Sequence, residues 1–329
     1  MRTRRESNEL EQCRRPESVT LTNLIKQSRQ NTANSTAAAG YSEDERRYLF
    51  LHVPKTAGSA LRTIIKNNLR DAAAIENALL STQIYTATQI DWLFASYPYR
   101  FYAGHVFRLK SALGACRGHL QLLAFVRDPV DKAISSYYHL RNRDMTRTDH
   151  PVKLHSLVDL CTYAERGGAM DSNGFDDSQL DWLVGERYAQ LDTVEAAVDS
   201  GQVLLFPTEK FDCAMVLLER LFPRDFSNCA YAARVNVSAK DINRDAKAER
   251  AAAEILPWLS DDRSLHQLAC ANLDNLVAKA FPSDAEMHSA LENFRGRCAV
   301  SAEAERDPSN LGQARLGRRI KRRIKDWIS

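Results

Sequence analysis

The chain has no apolar stretch approaching the ~20 residues that a membrane-spanning helix needs, and its N-terminus carries no apolar h-region. A spanning protein and a secreted one are therefore not expected, and a cytoplasmic one is. The seven cysteines (13, 116, 161, 213, 229, 270 and 298) are odd in number, widely scattered and without a C-x-x-C pair, which indicates neither a disulfide framework nor a zinc site. A large excess of one charge sign is lacking too. The net charge is +3, yet Arg315 to Lys325 alone holds seven Lys and Arg and no acid, so the rest of the chain is net acidic and is no nucleic-acid binder by charge. With 329 residues, 44% of them hydrophobic, the chain can build one large α/β domain or two small ones around an ordinary core.

What is present is organised around Arg47 to Lys66, RYLFLHVPKTAGSALRTIIK. Strand formers from Tyr48 to Val53 stop at Pro54, and Ser59 then caps an amphipathic helix with Leu61, Ile64 and Ile65 on one face. The turn Pro54-Lys55-Thr56-Ala57-Gly58-Ser59 offers backbone N–H groups, two hydroxyls, a lysine and a helix N-terminus to one small volume, which suits a phosphate or sulfate diester. The triphosphatase pattern GxxxxGK[ST] is absent, because Lys55 precedes the glycine.

Two further segments carry candidate chemistry. Tyr99 to His105, YRFYAGH, reads as a short aromatic strand that delivers His105 at its carboxyl end, where ligand-contacting residues gather in open parallel sheets. Taken by itself His105 is either a structural strand-end histidine or a general base, since an imidazole titrating near ~6.5 can take a proton from a hydroxyl at neutral pH. Leu120 to Val126 is a continuous apolar run of the kind buried on both sheet faces, followed by Arg127-Asp128-Pro129 and a helix from Val130 to about Arg141. Arg127 and Ser135 can hold a terminal phosphate between them; the alternative is a surface arginine beside a helix-capping Asp128.

LHVPKTAGSAL resembles the 5′-phosphosulfate loop of carbohydrate sulfotransferases that use 3′-phosphoadenosine 5′-phosphosulfate (PAPS), most closely the branch of uronosyl 2-O-sulfotransferases and their bacterial relatives. The strand-RDP-helix segment resembles the 3′-phosphate site of that family, with Lys132 where many relatives have arginine. The resemblance covers roughly residues 47 to 281. It implies a three-layer α/β/α, P-loop-like domain with a largely parallel sheet, and PAPS-dependent O-sulfation of a carbohydrate or glycolipid hydroxyl with no metal. It also implies that His105 is the base, that Lys55 neutralises the leaving oxygen, and that Pro54 to Ser59, Arg127 and Ser135 hold the donor, with Asn236 and Ser238 closing over it. The family's eukaryotic members are membrane-anchored, whereas no anchor is seen in this chain. Around Asp181 relatives usually have arginine, which leaves the acceptor open.

The domain is expected at residues 47 to 297. It is preceded by a polar arm (1 to 46) and followed by a linker and a basic amphipathic helix (298 to 329). In that helix Leu316, Ile320, Ile324, Trp327 and Ile328 recur at helical spacing, which fits peripheral contact with an anionic membrane, a soluble tail or an oligomer contact. The arginines 141, 143 and 147 are either an acidic-glycan contact or a solvated charge cluster. Ala-rich Asp71 to Ile90 reads as loosely helical, Leu154 to Glu165 as a helix, Gln202 to Phe206 as a further strand, Phe211 to Phe222 as a helix capped by Thr208, and Asp262 to Phe294 as two or three helices. Two rival functions share the phosphate cradle. A P-loop kinase should show a Walker loop and a strand-end Asp for Mg²⁺, and a non-catalytic nucleotide-binding protein should bind PAPS without turnover.

Overall fold

Apolar runs bounded by turn residues become the strands of one parallel sheet. In the computed structural model, which describes residues 46–69, 72–74, 84–97, 99–115, 120–144, 178–231 and 259–306, β1 (Arg47–Leu51), β2 (Ala72–Ala74), β3 (Phe101–Gly104), β4 (Leu120–Val126) and β5 (Val203–Pro207) form a five-stranded sheet in the order β2-β3-β1-β4-β5. All four pairings are parallel. The helices between them are α1 (Gly58–Asn68), α2 (Ala87–Ser96), α3 (Leu109–Leu113), α4 (Pro129–Asp144), α5 (Gln179–Val184), α6 (Leu191–Asp199), α7 (Phe211–Leu221), α8 (Ser260–Ala280) and α9 (Asp284–Arg306).

The pleat divides the apolar residues between two layers. Leu49, Leu51, Tyr102, Leu122, Ala124, Val126, Val203 and Leu205 pack with α2, α3, α5 and α6 on one face. On the other face Tyr48, Phe50, Phe101, Leu123, Phe125, Leu204 and Phe206 pack with α1, α7 and α9. Strands sandwiched this way read as unbroken apolar runs, and the architecture is a three-layer α/β fold. Helix α8 belongs to both layers, through Leu265 and Ala269 on one side and Leu273 on the other. It runs along the open edge of β5, where Asn272 Nδ2 donates to the Leu205 carbonyl (3.0 Å) and satisfies an edge acceptor. No helix among the described residues is long and apolar enough to cross a membrane.

Several local expectations change. Residues 72–74, expected in a helical stretch, pair with β3 as an edge strand, because the free edge of β3 outweighs the helix propensity of alanine. Helix α1 begins at Gly58 after Ala57, so Ser59 lies inside its first turn and is not the cap. Thr208 opens a 3₁₀ turn, and its hydroxyl donates to the Val126 carbonyl (2.9 Å), so it ties β5 to β4 instead of capping α7. Helix α9 continues to Arg306, past the boundary expected at 297. The N-terminal arm, the helix expected at 154–165 and the basic helix at 315–328 lie outside the described residues.

Phe125 is fully buried, with its ring against Phe50, Phe206 and Phe211. Phe125→Ala should lower the unfolding free energy by about 3–5 kcal/mol, read from the urea midpoint at unchanged slope.

Candidate active site

Three neighbouring strands end in a row. Because β1 lies between β3 and β4 in parallel register, with Leu51 opposite both Gly104 and Ala124, the loops that follow them open on the same side of the sheet. The chain leaves β1 towards the β2 side and leaves β4 towards β5, so the gap between β1 and β4 is the topological switch point, where ligands bind in open α/β sheets.

After β1 the chain turns sharply. The Val53 amide donates to the Leu51 carbonyl (3.1 Å), and the Thr56 hydroxyl donates to the Val53 carbonyl (2.8 Å). Thr56 is fully buried, so its hydroxyl closes the turn from within, and what it can offer an anion is its main chain. Lys55 (φ 67°) and Ala57 (φ 60°) both adopt the left-handed conformation, at roughly 1–2 kcal/mol each for residues bearing a Cβ. Alternating handedness of this kind curls successive amides towards a common centre, a concavity suited to anions. Helix α1 follows with no side chain bonded to its N-terminal amides at the Ala57 cap, which leaves its positive end open. Gly58 is required here, since a Cβ on it would lie 1.8 Å from Nε2 of His52.

His105 follows β3 directly. Its ring stacks on that of His52 (centroids 3.9 Å apart, planes at 22°) and meets the edge of Trp182 at 6.0 Å. His105 Nδ1 lies 2.9 Å from the His52 carbonyl, which also accepts a bond from Trp182 Nε1 (3.2 Å). A carbonyl only accepts, so Nδ1 carries the proton and Nε2 the lone pair. Burial lowers the His105 pKa below 6.5, the bond to His52 opposes this in part, and the nearby Arg62 and Arg108 lower it further. His52, 6% exposed, lies well below 6.5 through burial first and then His105 and Arg62. Both rings are neutral at pH 7. Arg108 is buried with its guanidinium 4.1 Å from the Trp182 ring centroid, and it donates to the carbonyls of Phe107 (3.1 Å) and His105. Gly185 (φ 97°) ends α5 against it, where a Cβ would meet Arg108 Cβ at 2.6 Å.

Arg127 follows β4, and its main chain is held at both ends by one side chain. Gln179, fully buried, accepts from the Arg127 amide (2.9 Å) and donates to the Arg127 carbonyl (2.7 Å). Asp128 caps α4, accepting from the amides of Val130 and Asp131 (3.0 Å each). The Asp128 amide in turn donates to Glu209 (2.9 Å), which pairs with His266 at 3.0 Å. Burial alone would push the Glu209 carboxyl up, but the bonds from His266 and the Asp128 amide outweigh it and hold it low, while Glu209 raises His266. The Arg127 guanidinium stands 3.8 Å from Asp131. Lys55 is lowered from 10.5 by burial and then by the charge of Arg127, so the two cations face one volume. Among the described residues no acid pairs with Lys55.

The structure thus brings Lys55, Thr56, Ala57, Gly58, His105 and Arg127 to one end of the sheet, with Pro54 opening the turn. Ser135 lies half-buried two turns along α4, and Ser59 contributes the backbone of the first turn of α1. Asn236, Ser238 and Arg147 lie outside the described residues, as do the side chains of Arg141 and Arg143. Sequence reasoning did not single out His52, Arg108, Gln179 or Trp182. The one available signal was polar and aromatic residues next to motif ends, and their bonds are to the main chain, which any residue presents.

A solved structure described as a sulfotransferase from Alicyclobacillus acidocaldarius is similar to this chain at 16% sequence identity, with a TM-score of 0.40, over 68% of this chain and 95% of that one. No family model matches the chain, and no curated protein matches it.

Gly58→Ala must displace the His52 ring and should destabilise the fold by about 1–3 kcal/mol, measured by urea unfolding. Acid should also destabilise. His52 and His105 have folded pKa values below their unfolded ones, so the unfolded chain binds more protons, and stability present above about pH 6.5 is lost as pH falls towards the folded values. Urea midpoints between pH 7.5 and 5.5 should fall, with up to ~1.4 kcal/mol per pH unit for each histidine involved.

Proposed function

We propose that the protein is a sulfotransferase that moves the sulfuryl group of PAPS to a hydroxyl of a carbohydrate or glycolipid, releasing 3′,5′-ADP. The observation that carries this reading is the pair Lys55 and Arg127. Two cations from separate strand ends are held close enough that Arg127 disfavours the charge on Lys55, beside a helix N-terminus without a side-chain cap and with no acid on Lys55 among the described residues. Such an arrangement is costly empty and favourable around a polyanion. The resemblance of LHVPKTAGSAL and the RDP segment to the two phosphate sites of carbohydrate sulfotransferases identifies PAPS as that polyanion, and the neutral His105 beside it is suited to accept a proton.

In this reading the main chain from Lys55 to Ser59 and the N-terminus of α1 hold the 5′-phosphosulfate. Arg127 and Ser135 hold the 3′-phosphate, Asn236 and Ser238 close over the nucleotide, and Pro54 sets the start of the turn. His105 Nε2 takes the proton of the acceptor hydroxyl as the new S–O bond forms. The S–O bond to the phosphate breaks in line, and its electron pair stays on the phosphate oxygen, where Lys55 offsets the growing charge. The paired imidazole stays neutral until that moment because it is buried among cations.

Calorimetric titration should show 3′,5′-ADP binding and 5′-AMP binding far more weakly, with Arg127→Ala abolishing the difference. If neither nucleotide binds, the assignment falls. With labelled PAPS and a glycan acceptor, Lys55→Ala and His105→Ala should each slow turnover by roughly 10²–10⁴. The acidic limb of kcat/KM should lie below pH 6.5, because the base works only when unprotonated. The alkaline limb should begin below 10.5 as Lys55 loses its proton. Mg²⁺ dependence would point to the kinase alternative.

A further inference from the structure

His52 has no part in the transfer steps above, yet His105 rests on it twice. The main-chain carbonyl of His52 accepts from His105 Nδ1 at 2.9 Å, and its ring lies against that of His105 with 3.9 Å between centroids. The His52 ring also stacks on Phe50 (5.2 Å, 22°), so ring contacts run from Phe50 in the core through His52 to His105. The His52 carbonyl is pinned from a second direction by Trp182 Nε1 (3.2 Å), and Trp182 closes the edge of His105.

The choice of imidazole at position 52 has a price. Its Nδ1 is buried and has no hydrogen-bond partner among the described residues, a penalty that a purely apolar ring would not incur. Room explains why such a ring is absent. The turn brings Gly58 so close that even a methyl group there would collide with His52 Nε2 at 1.8 Å, and a six-membered ring would reach further towards Gly58. A five-membered flat ring fits between the core and the base without opening the anion-binding turn.

We infer that His52 is a positioning residue for His105: its carbonyl keeps the proton on His105 Nδ1, and its ring fixes the plane of the base, so that Nε2 faces the acceptor. This rests on the reading of His105 as the base of sulfuryl transfer. The charged groups facing the pair are Arg62 of α1, which acts on both rings, and Arg108 after β3, which acts on His105. Both disfavour protonation, and without the stacked ring His105 gains solvent and freedom to tilt. A merely structural His52 would affect folding alone.

The test is long-range ¹⁵N NMR of the imidazoles in the full chain, with neither donor nor acceptor present. The wild type should show His105 as the Nδ1–H tautomer at pH 7. In His52→Ala, which keeps the carbonyl but loses the stacked ring, His105 should remain the Nδ1–H tautomer and titrate closer to about 6.5. Turnover should fall about tenfold to a hundredfold, with affinity for 3′,5′-ADP within about twofold of wild type. An Nε2–H tautomer in the wild type, or an unchanged His105 titration in His52→Ala, would overturn the inference. Should the alanine variant not fold, the wild-type tautomer decides alone. Failure of 3′,5′-ADP to bind would instead remove the transfer reading and leave the NMR result standing.

Discussion

Lys55 and Arg127 repel each other, and much of the architecture at the carboxyl end of the sheet holds them together. Lys55 sits in a left-handed conformation in a turn locked from below by the Thr56 hydroxyl, and Arg127 is gripped at its amide and carbonyl by the buried Gln179. Neither device contributes to the core, and both restrict the main chain that bears a cation. The parallel pairing of β1 with β4 sets the distance over which this restriction works. A site built this way is preorganised: its unfavourable energy is already present in the folded chain before any anion arrives.

His105, the proposed base, is treated in the opposite manner. Where Lys55 and Arg127 are partly open to solvent, His105 is packed against His52, edged by Trp182 and faced by Arg62 and Arg108, so that charge on it is disfavoured. The two halves support each other. Burial, with Arg62 and Arg108, keeps the imidazole neutral, and the close approach at Gly58 joins the two halves physically, because the first residue of α1 lies against the ring on which His105 rests. Arg108 belongs to the same assembly, stacked on Trp182 and bonded to the His105 carbonyl, and Gly185 leaves the space it occupies.

Some residues serve structure and site at once. Asp128 is the helix cap that an ordinary strand-to-helix junction would have, yet its amide also engages Glu209, whose partner His266 comes from α8. The turn bearing Arg127 is thereby fastened to β5 and α8 as well as to α5. Thr56 and Thr208 are similar: each hydroxyl donates to a strand-end carbonyl, Val53 and Val126, and so fixes where a loop departs from the sheet.

The strand Leu120 to Val126, the helix after Gly58 and the convergence of motifs at strand ends were legible because apolar runs and punctuating Pro and Gly are local signals, and local signals set local structure. Lys55, His105 and Arg127 could be named for the same reason, each lying at the end of such a run. The helix start at Gly58 and the edge strand at 72–74 were not legible, because a free sheet edge and a turn closed by a buried hydroxyl are properties of neighbours. Gln179, Trp182 and the carbonyl of His52 act through main-chain bonds between segments far apart in sequence, and nothing in the side-chain pattern marks a carbonyl as an acceptor for one particular ring. The sequence by itself determined which groups could meet an anion and which could take a proton. Only the tertiary structure decided that the cations share one volume and that His105 is neutral with its lone pair on Nε2, because electrostatics and burial depend on distances that the packing of strands and helices alone establishes.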